Sequence, residues 1–231
     1  MGLLNLRNAL MAGRRTPTFI SGIRSDGNAY ILLDNAVSAN NDIEMTLDVS
    51  IPSDYQLDGG HPFAGVVTGS PTNYRSPSFL MQWGGISVGS GFRVPAFYGF
   101  VSNWMSAFNA FYNPFGTVVS CKLSAKSGRA EVSTSINGQI VERRNQSYTG
   151  NVFSSPIGIF SVPYCITDGV KVGMVSVPQT CFVLHGTKIS IDGNLLYDLL
   201  PCVVGGSALL YNQVNSQIVS NAGTGNFIPI V

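Results

Sequence analysis

From about residue 19 onward, apolar positions recur at every second residue. Between Asp42 and Ser50, Ile43, Met45, Leu47 and Val49 alternate with Asp42, Glu44, Thr46 and Asp48, the period of a strand with one buried and one wet face. Shorter runs of the same kind lie at 30–33, 78–83, 117–123, 157–162, 170–177 and 180–185. Two hairpins are predicted. Residues 129–136 and 139–144 flank Asn137-Gly138, and residues 188–191 and 194–200 flank Asp192-Gly193, dipeptides that accept the positive φ of a two-residue type I′ turn. Many short strands joined by turn signals, with almost no helical period, predict an all-β, two-sheet antiparallel sandwich of the jelly-roll kind.

The first residues read differently. Leu3, Leu6 and Leu10 fall at i, i+3 and i+7, with Leu4 and Met11 widening the stripe, so a short amphipathic helix is predicted, ended by Gly13 and Pro17. A helix of about ten residues is marginal alone in water, and its stripe must dock on something. Residues 1–18 are therefore read as a docking arm ahead of a body at 19–231. The arm packs either on its own domain or on a partner subunit, with Arg14 and Arg15 reaching an acidic surface. Arg7, Arg14, Arg15 and Arg24 all precede the first acidic residue, Asp26, which makes this end basic. Arg7 also interrupts the apolar stretch before it reaches the length of a secretory signal. No run approaches the ~18 apolar residues of a membrane span.

Composition narrows the classes. With 13 Lys and Arg against 12 Asp and Glu, a net charge of +1, 11% charged and 45% hydrophobic residues, the chain lacks the profile of a disordered segment. It also lacks the basic face of a nucleic-acid binder. The 26 glycines and 12 prolines punctuate the whole length, as in one domain of many short segments. The four cysteines, Cys121, Cys165, Cys181 and Cys202, form no C-x-x-C pair, and His61 and His185 are the only histidines. Buried free thiols are expected rather than zinc ligands.

The stretch from Lys188 to Cys202, KISIDGNLLYDLLPC, followed by Ala208 to Asn215 and Ser220 to Phe227, closely resembles the end of the laminin G-like domains of bacteriophage and prophage structural proteins, which have the concanavalin A-like jelly-roll fold. Ser25 to Ile31, Asn41 to Met45 and Ser135 to Gly138 are similar to earlier pieces of that family, so the likeness runs from about residue 22 to the end. Two departures stand out. Tyr197 occupies a position where an arginine often precedes the aspartate, and Trp104 to Phe115 is an aromatic insertion. The resemblance implies a virion protein without catalytic activity, made in the host bacterial cytoplasm: a capsid decoration, head-fibre or tail-associated protein. It implies capsid or tail subunits as partners, assembly as a homo-oligomer, and adhesion to host-surface polysaccharide.

Candidate chemistry is sparse. Gly85-Ile86-Ser87-Val88-Gly89 matches G-x-S-x-G, but Gly89-Ser90-Gly91 follows where the nucleophile elbow needs a helix, so a glycine-rich strand end is expected. Asp42 and Glu44 share a strand face and could form a glycosidase pair, but the chain has only three glutamates, Glu44, Glu131 and Glu142, and an outward solvated face is the preferred reading. Asp54 to Gly60 could offer two carboxylates to calcium; an ordinary polar turn is the competing reading, and no cofactor is expected. The most unusual feature is Phe97, Tyr98, Phe100, Trp104, Phe108, Phe111, Tyr112 and Phe115 interleaved with Asn103, Asn109 and Asn113. Core or subunit contact accounts for most of these rings. As a sugar platform, Trp104 and Tyr112 would stack on pyranose faces while Asn103 and Asn109 bond hydroxyls.

Overall fold

A computed structural model of the chain describes residues 16–52, 61–68, 78–83, 95–101, 105–106, 116–148, 154–167, 170–174 and 182–231. The described residues form two sheets. The first holds β1 (Thr18–Phe19), β2 (Gly22–Ser25), β4 (Ile43–Ser50), β9 (Val119–Lys126), β10 (Arg129–Ile136), β11 (Gln139–Ser147), β15 (Val183–Ile191), β16 (Asn194–Val204), β17 (Ser207–Asn212), β18 (Gln217–Val219) and β19 (Phe227–Ile230). The second holds β3 (Ile31–Val37), β5 (His61–Thr68), β6 (Ser78–Trp83), β7 (Pro95–Val101), β8 (Met105–Ser106), β12 (Ser155–Ile159), β13 (Pro163–Thr167) and β14 (Val170–Met174). Leu47, Cys121 and Leu199 of the first sheet share one buried cluster with Leu33, Phe63 and Ile159 of the second, so the sheets pack face to face as a sandwich.

The alternation predicted for 42–50 is present: Met45, Leu47 and Val49 are fully buried while Glu44 is exposed. Both hairpins form at the predicted dipeptides, with φ of 50° and 76° at Asn137 and Gly138 and 51° and 78° at Asp192 and Gly193. Residues 183–185 of the run expected at 180–185 join the run expected at 188–191 in one strand, β15. It carries a register shift against β4 between Leu184 and Gly186, and such a bulge breaks the alternation that would reveal continuity.

Two features depart from the expected antiparallel sandwich. β16, β17, β19, β2 and β15 pair successively, and β15 pairs back to β16, which closes a ring of five strands at one end of the first sheet. Closure leaves those strands without the free edges of an open sheet. In addition, β13 runs parallel to β5, although β12 just before it runs antiparallel to the same strand. Phe160, Ser161 and Val162 reverse the chain between them. Phe160 takes φ of 69° there, and its N–H donates to the Phe63 carbonyl at 2.7 Å.

Strand pairing begins at Thr18, which sits opposite Val203; the predicted arm helix, with Leu3, Leu6, Leu10, Arg14 and Arg15, lies outside the described residues. Among the described residues no helix is long and apolar enough to cross a membrane. Cys121 and Cys202 are buried free thiols, as expected, whereas Cys181 and the Cys165 side chain lie outside the description.

Burial, reinforced by the Asp48 charge, holds the Cys121 thiol far above its ordinary range. An unfolded chain ionises that thiol near pH 9 while the folded one keeps it protonated. The stability it contributes is therefore complete below that pH and is lost as pH rises further. In Cys121→Val, the fall in urea-unfolding stability between pH 9.5 and 11 should be shallower by about 1.4 kcal/mol per pH unit. Parallel profiles for variant and parent would contradict this assignment.

Candidate functional site

A groove of about 550 Å³ opens between β3 on one side and β16 to β18 on the other. A local irregularity of β3 creates its active wall. Ala36 pairs with Pro156 and Leu32 with Gly158, so four steps along β3 meet two along β12, and two extra residues bulge out. Bulges re-aim side chains. Here the inward alternation of Ile31 and Leu33 gives way to exposed Asp34 and Asn35, which line the groove.

The opposite wall is held by amides. Asn212, 1% exposed, accepts from the N–H groups of Asp198 (3.0 Å) and Val214 (3.1 Å) and donates to the Leu196 carbonyl (3.0 Å). Each of these atoms would be costly to bury alone, and together they fix the end of β17 against β16. Asn221 accepts from Tyr30 N–H at 3.0 Å, and Ala222 N–H donates to the Tyr30 carbonyl at 2.8 Å. These bonds clip the segment after β18 to the start of β3 and close one end. Leu196, Val214 and Ile218 supply apolar lining, the last two remaining 46% and 37% exposed.

Tyr197 links the walls. Its hydroxyl donates to Asn35 Oδ1 at 2.6 Å and accepts from Asn35 N–H at 3.3 Å. Burial, then the nearby Asp34 charge, raises its pKa against the opposing pull of the Asn35 N–H, so it stays a neutral donor. Because Tyr197 occupies the amide oxygen of Asn35, the Asn35 Nδ2 group is left as a donor in the lining that also holds the Asp34 carboxylate. Those two groups, the Ser220 hydroxyl and Gln217 Nε2 make no hydrogen bond among the described residues. The groove thus offers pre-oriented donors and acceptors over an apolar lining, an arrangement suited to a ligand rich in hydroxyls.

None of the site residues singled out from sequence is among the described lining of the groove. Trp104, Tyr112, Asn103 and Asn109 lie outside the described residues, as do the Gly85 to Gly89 motif and the Asp54 to Gly60 turn. The aromatic segment is partly sheet: β7 carries Phe97, Tyr98 and Phe100, and β8 pairs with it through Met105 and Ser106. Asp42 and Glu44 are described and lie apart from the groove. Asp42 accepts from Ser127 N–H (3.1 Å) and faces Lys126 (3.8 Å), and Glu44 pairs with Lys122 (2.8 Å). This is the solvated strand face, where exposed ion pairs contribute little.

One pairing escaped the sequence reading. Ser50 Oγ lies 2.8 Å from His185 Nε2, and His185 Nδ1 lies 2.7 Å from the Ser21 carbonyl. The carbonyl requires a proton on Nδ1, so in the neutral imidazole Nε2 accepts from the serine. That is the contact of a nucleophile with its base, but Ser50 is only 4% exposed and has no room for an acyl substrate. The three groups instead fasten the approach to β2 onto β4 and β15.

No family model and no curated protein matches the sequence. Among solved structures, the chain is similar to the enzymatically active domain of tailspike protein 2 of bacteriophage CBA120, at 17% identity over 76% of this chain and 27% of that one, with a TM-score of 0.44. It is also similar to a Bacteroides ovatus protein described as carbohydrate-binding, at 9% identity over 92% and 61% of the two chains (TM-score 0.49). A third is the lumenal domain of VIP36 in a calcium- and mannose-bound form, at 8% identity over 77% and 81% (TM-score 0.39). The chain spans less than two thirds of the length of the tailspike and Bacteroides proteins. All three scores are below 0.5, and the fold rests on the strand pairing above.

Proposed function

We propose that the chain is a non-enzymatic structural module of a bacteriophage virion that adheres to host-surface glycan through the groove between β3 and β18. The observation that carries this reading is the bulge of β3, which exposes an acceptor, the Asp34 carboxylate, and a donor, the Asn35 Nδ2 group, neither of which is hydrogen-bonded among the described residues. Sugar hydroxyls satisfy both at once. Asp34 is the one carboxylate among the described lining residues, whereas glycoside hydrolysis needs two flanking the scissile bond; this supports binding without turnover. The resemblance of Lys188 to Cys202 to phage laminin G-like domains supports the virion setting, with the first 18 residues as the tether to capsid or tail subunits and the body acting as a homo-oligomer.

A printed array of bacterial capsular and O-antigen polysaccharides tests the reading. The full-length chain should bind at least one of them, with no change on adding EDTA. Tyr197→Phe, which releases the Asn35 amide, should weaken that binding roughly three- to tenfold, in keeping with the ~1 kcal/mol of one hydrogen bond. Trp104→Ala should leave it intact. If Trp104→Ala abolishes binding and Tyr197→Phe does not, the aromatic segment is the site. Silence across the array rejects the glycan reading.

A further inference from the structure

We infer that the groove selects glycans by charge, taking neutral or amine-bearing polysaccharide and discriminating against acidic polymers built from uronate or sialate, with Asp34 as the specificity-determining residue. This rests on the groove being the glycan site.

Among the described lining residues Asp34 is the only charged one; no Lys, Arg or His accompanies it. Its carboxylate has neither a hydrogen bond nor an ion pair among the described residues. The nearest wall offers no compensation, because Asn35 presents only a neutral amide and its oxygen is engaged by Tyr197. The lining is therefore net negative wherever Asp34 is ionised.

An ionised carboxylate only accepts hydrogen bonds. A sugar hydroxyl or ammonium can donate to it, whereas a ligand carboxylate brings a second acceptor and a like charge. Two such charges at about 5 Å in a solvent-exposed groove repel enough to change affinity roughly three- to tenfold. The effect is large enough to disfavour acidic capsules while leaving the hydroxyl-reading groups intact. Added salt should erase it, since the Debye length shrinks from about 10 Å at 0.1 M to about 3 Å at 1 M. Negative selection of this kind achieves specificity through a repulsive element rather than through additional contacts.

The test uses a neutral polysaccharide that the full-length chain binds and the same polymer oxidised at its primary hydroxyls to uronate. At 0.05 M salt the oxidised form should bind roughly three- to tenfold more weakly than its parent, and at 1 M salt the difference should shrink below about twofold. Asp34→Asn should tolerate oxidation at either salt concentration, and Asp34→Lys should favour the oxidised form. Equal binding of both polymers by the parent chain, or array binding confined to acidic polysaccharides, overturns the charge selection while leaving glycan adhesion in place. Absence of binding to any polysaccharide overturns the adhesion itself.

Discussion

Phe160→Ala is expected to destabilise the protein by about 3–5 kcal/mol, the usual cost of emptying a large aromatic site in a core. The ring is fully buried, stacks on Phe182 with centroids 4.6 Å apart and an interplanar angle of 16°, and meets Phe227 at 5.2 Å. Phe182 in turn contacts Phe63 at 5.1 Å. These four rings tie β5 and the β12–β13 reversal in one sheet to the ends of β15 and β19 in the other, so their loss loosens both sheets. Phe160 also holds a left-handed backbone, which for a bulky residue costs roughly 1–2 kcal/mol. Hence Phe160→Gly, which relieves that strain, should be at least as stable as Phe160→Ala, whereas in an ordinary strand glycine is the worse residue by about 0.5–1 kcal/mol. Urea midpoints of the two variants decide the matter. An alanine variant within 1 kcal/mol of the parent, or a glycine variant clearly below the alanine one, would show that the ring cluster or the backbone reversal is misassigned.

Gly65→Ala should be comparably severe, by about 3 kcal/mol or more, for a different reason. Gly65 has φ of +124°, and an added Cβ would lie 2.1 Å from the Phe79 carbonyl oxygen and 2.8 Å from Leu80 Cα. Both obstacles are backbone of the neighbouring β6, so no side chain can swing away. On its other flank the strand meets Gly158 of β12 directly. Gly138→Ala provides the comparison: it shares a positive φ, +76°, but an added Cβ would meet nothing within 4 Å. It should therefore lose only the conformational preference, roughly 1–2 kcal/mol. Equal losses at the two positions would mean that strand approach at Gly65 is not limiting; failure of Gly65→Ala alone to accumulate as folded protein agrees with the account.

The division between what the chain reveals and what it conceals follows the range of the interactions. The hairpins at Asn137-Gly138 and Asp192-Gly193 were legible because a two-residue turn is decided by its own residues. The burial of Met45, Leu47 and Val49 was legible because period two reports a face directly. The parallel run of β13 beside β5 was not, since it depends on a partner about a hundred residues earlier in the chain. Nor was the ring, which is closed by single paired positions such as Ala208 opposite Phe227 and Leu184 opposite Ile23.

The groove was concealed for a related reason. A bulge is a property of two strands, and the two extra residues of β3 exist only relative to β12. The local trace it left is the failure of alternation at Leu33-Asp34-Asn35. The other trace is the density of asparagines at 212, 215 and 221, which drew notice for their family likeness although Asn212 and Asn221 also build the wall. Tyr197, noticed only as a departure from a family pattern, proves to be the residue that sets the orientation of Asn35. Trp104 and Tyr112, the sequence candidates for a sugar platform, lie outside the described residues; aromatic side chains signal sugar binding more loudly than a short run of amides.

The most direct test of glycan adhesion through the β3–β18 groove is an amide chemical-shift titration of the full-length chain with oligosaccharide fragments of whichever polysaccharide it captures. Shifts concentrated at Asp34, Asn35, Tyr197, Gln217 and Ser220 are the predicted result. Saturable shifts centred on Trp104 and Tyr112, with the groove amides unmoved, would contradict it.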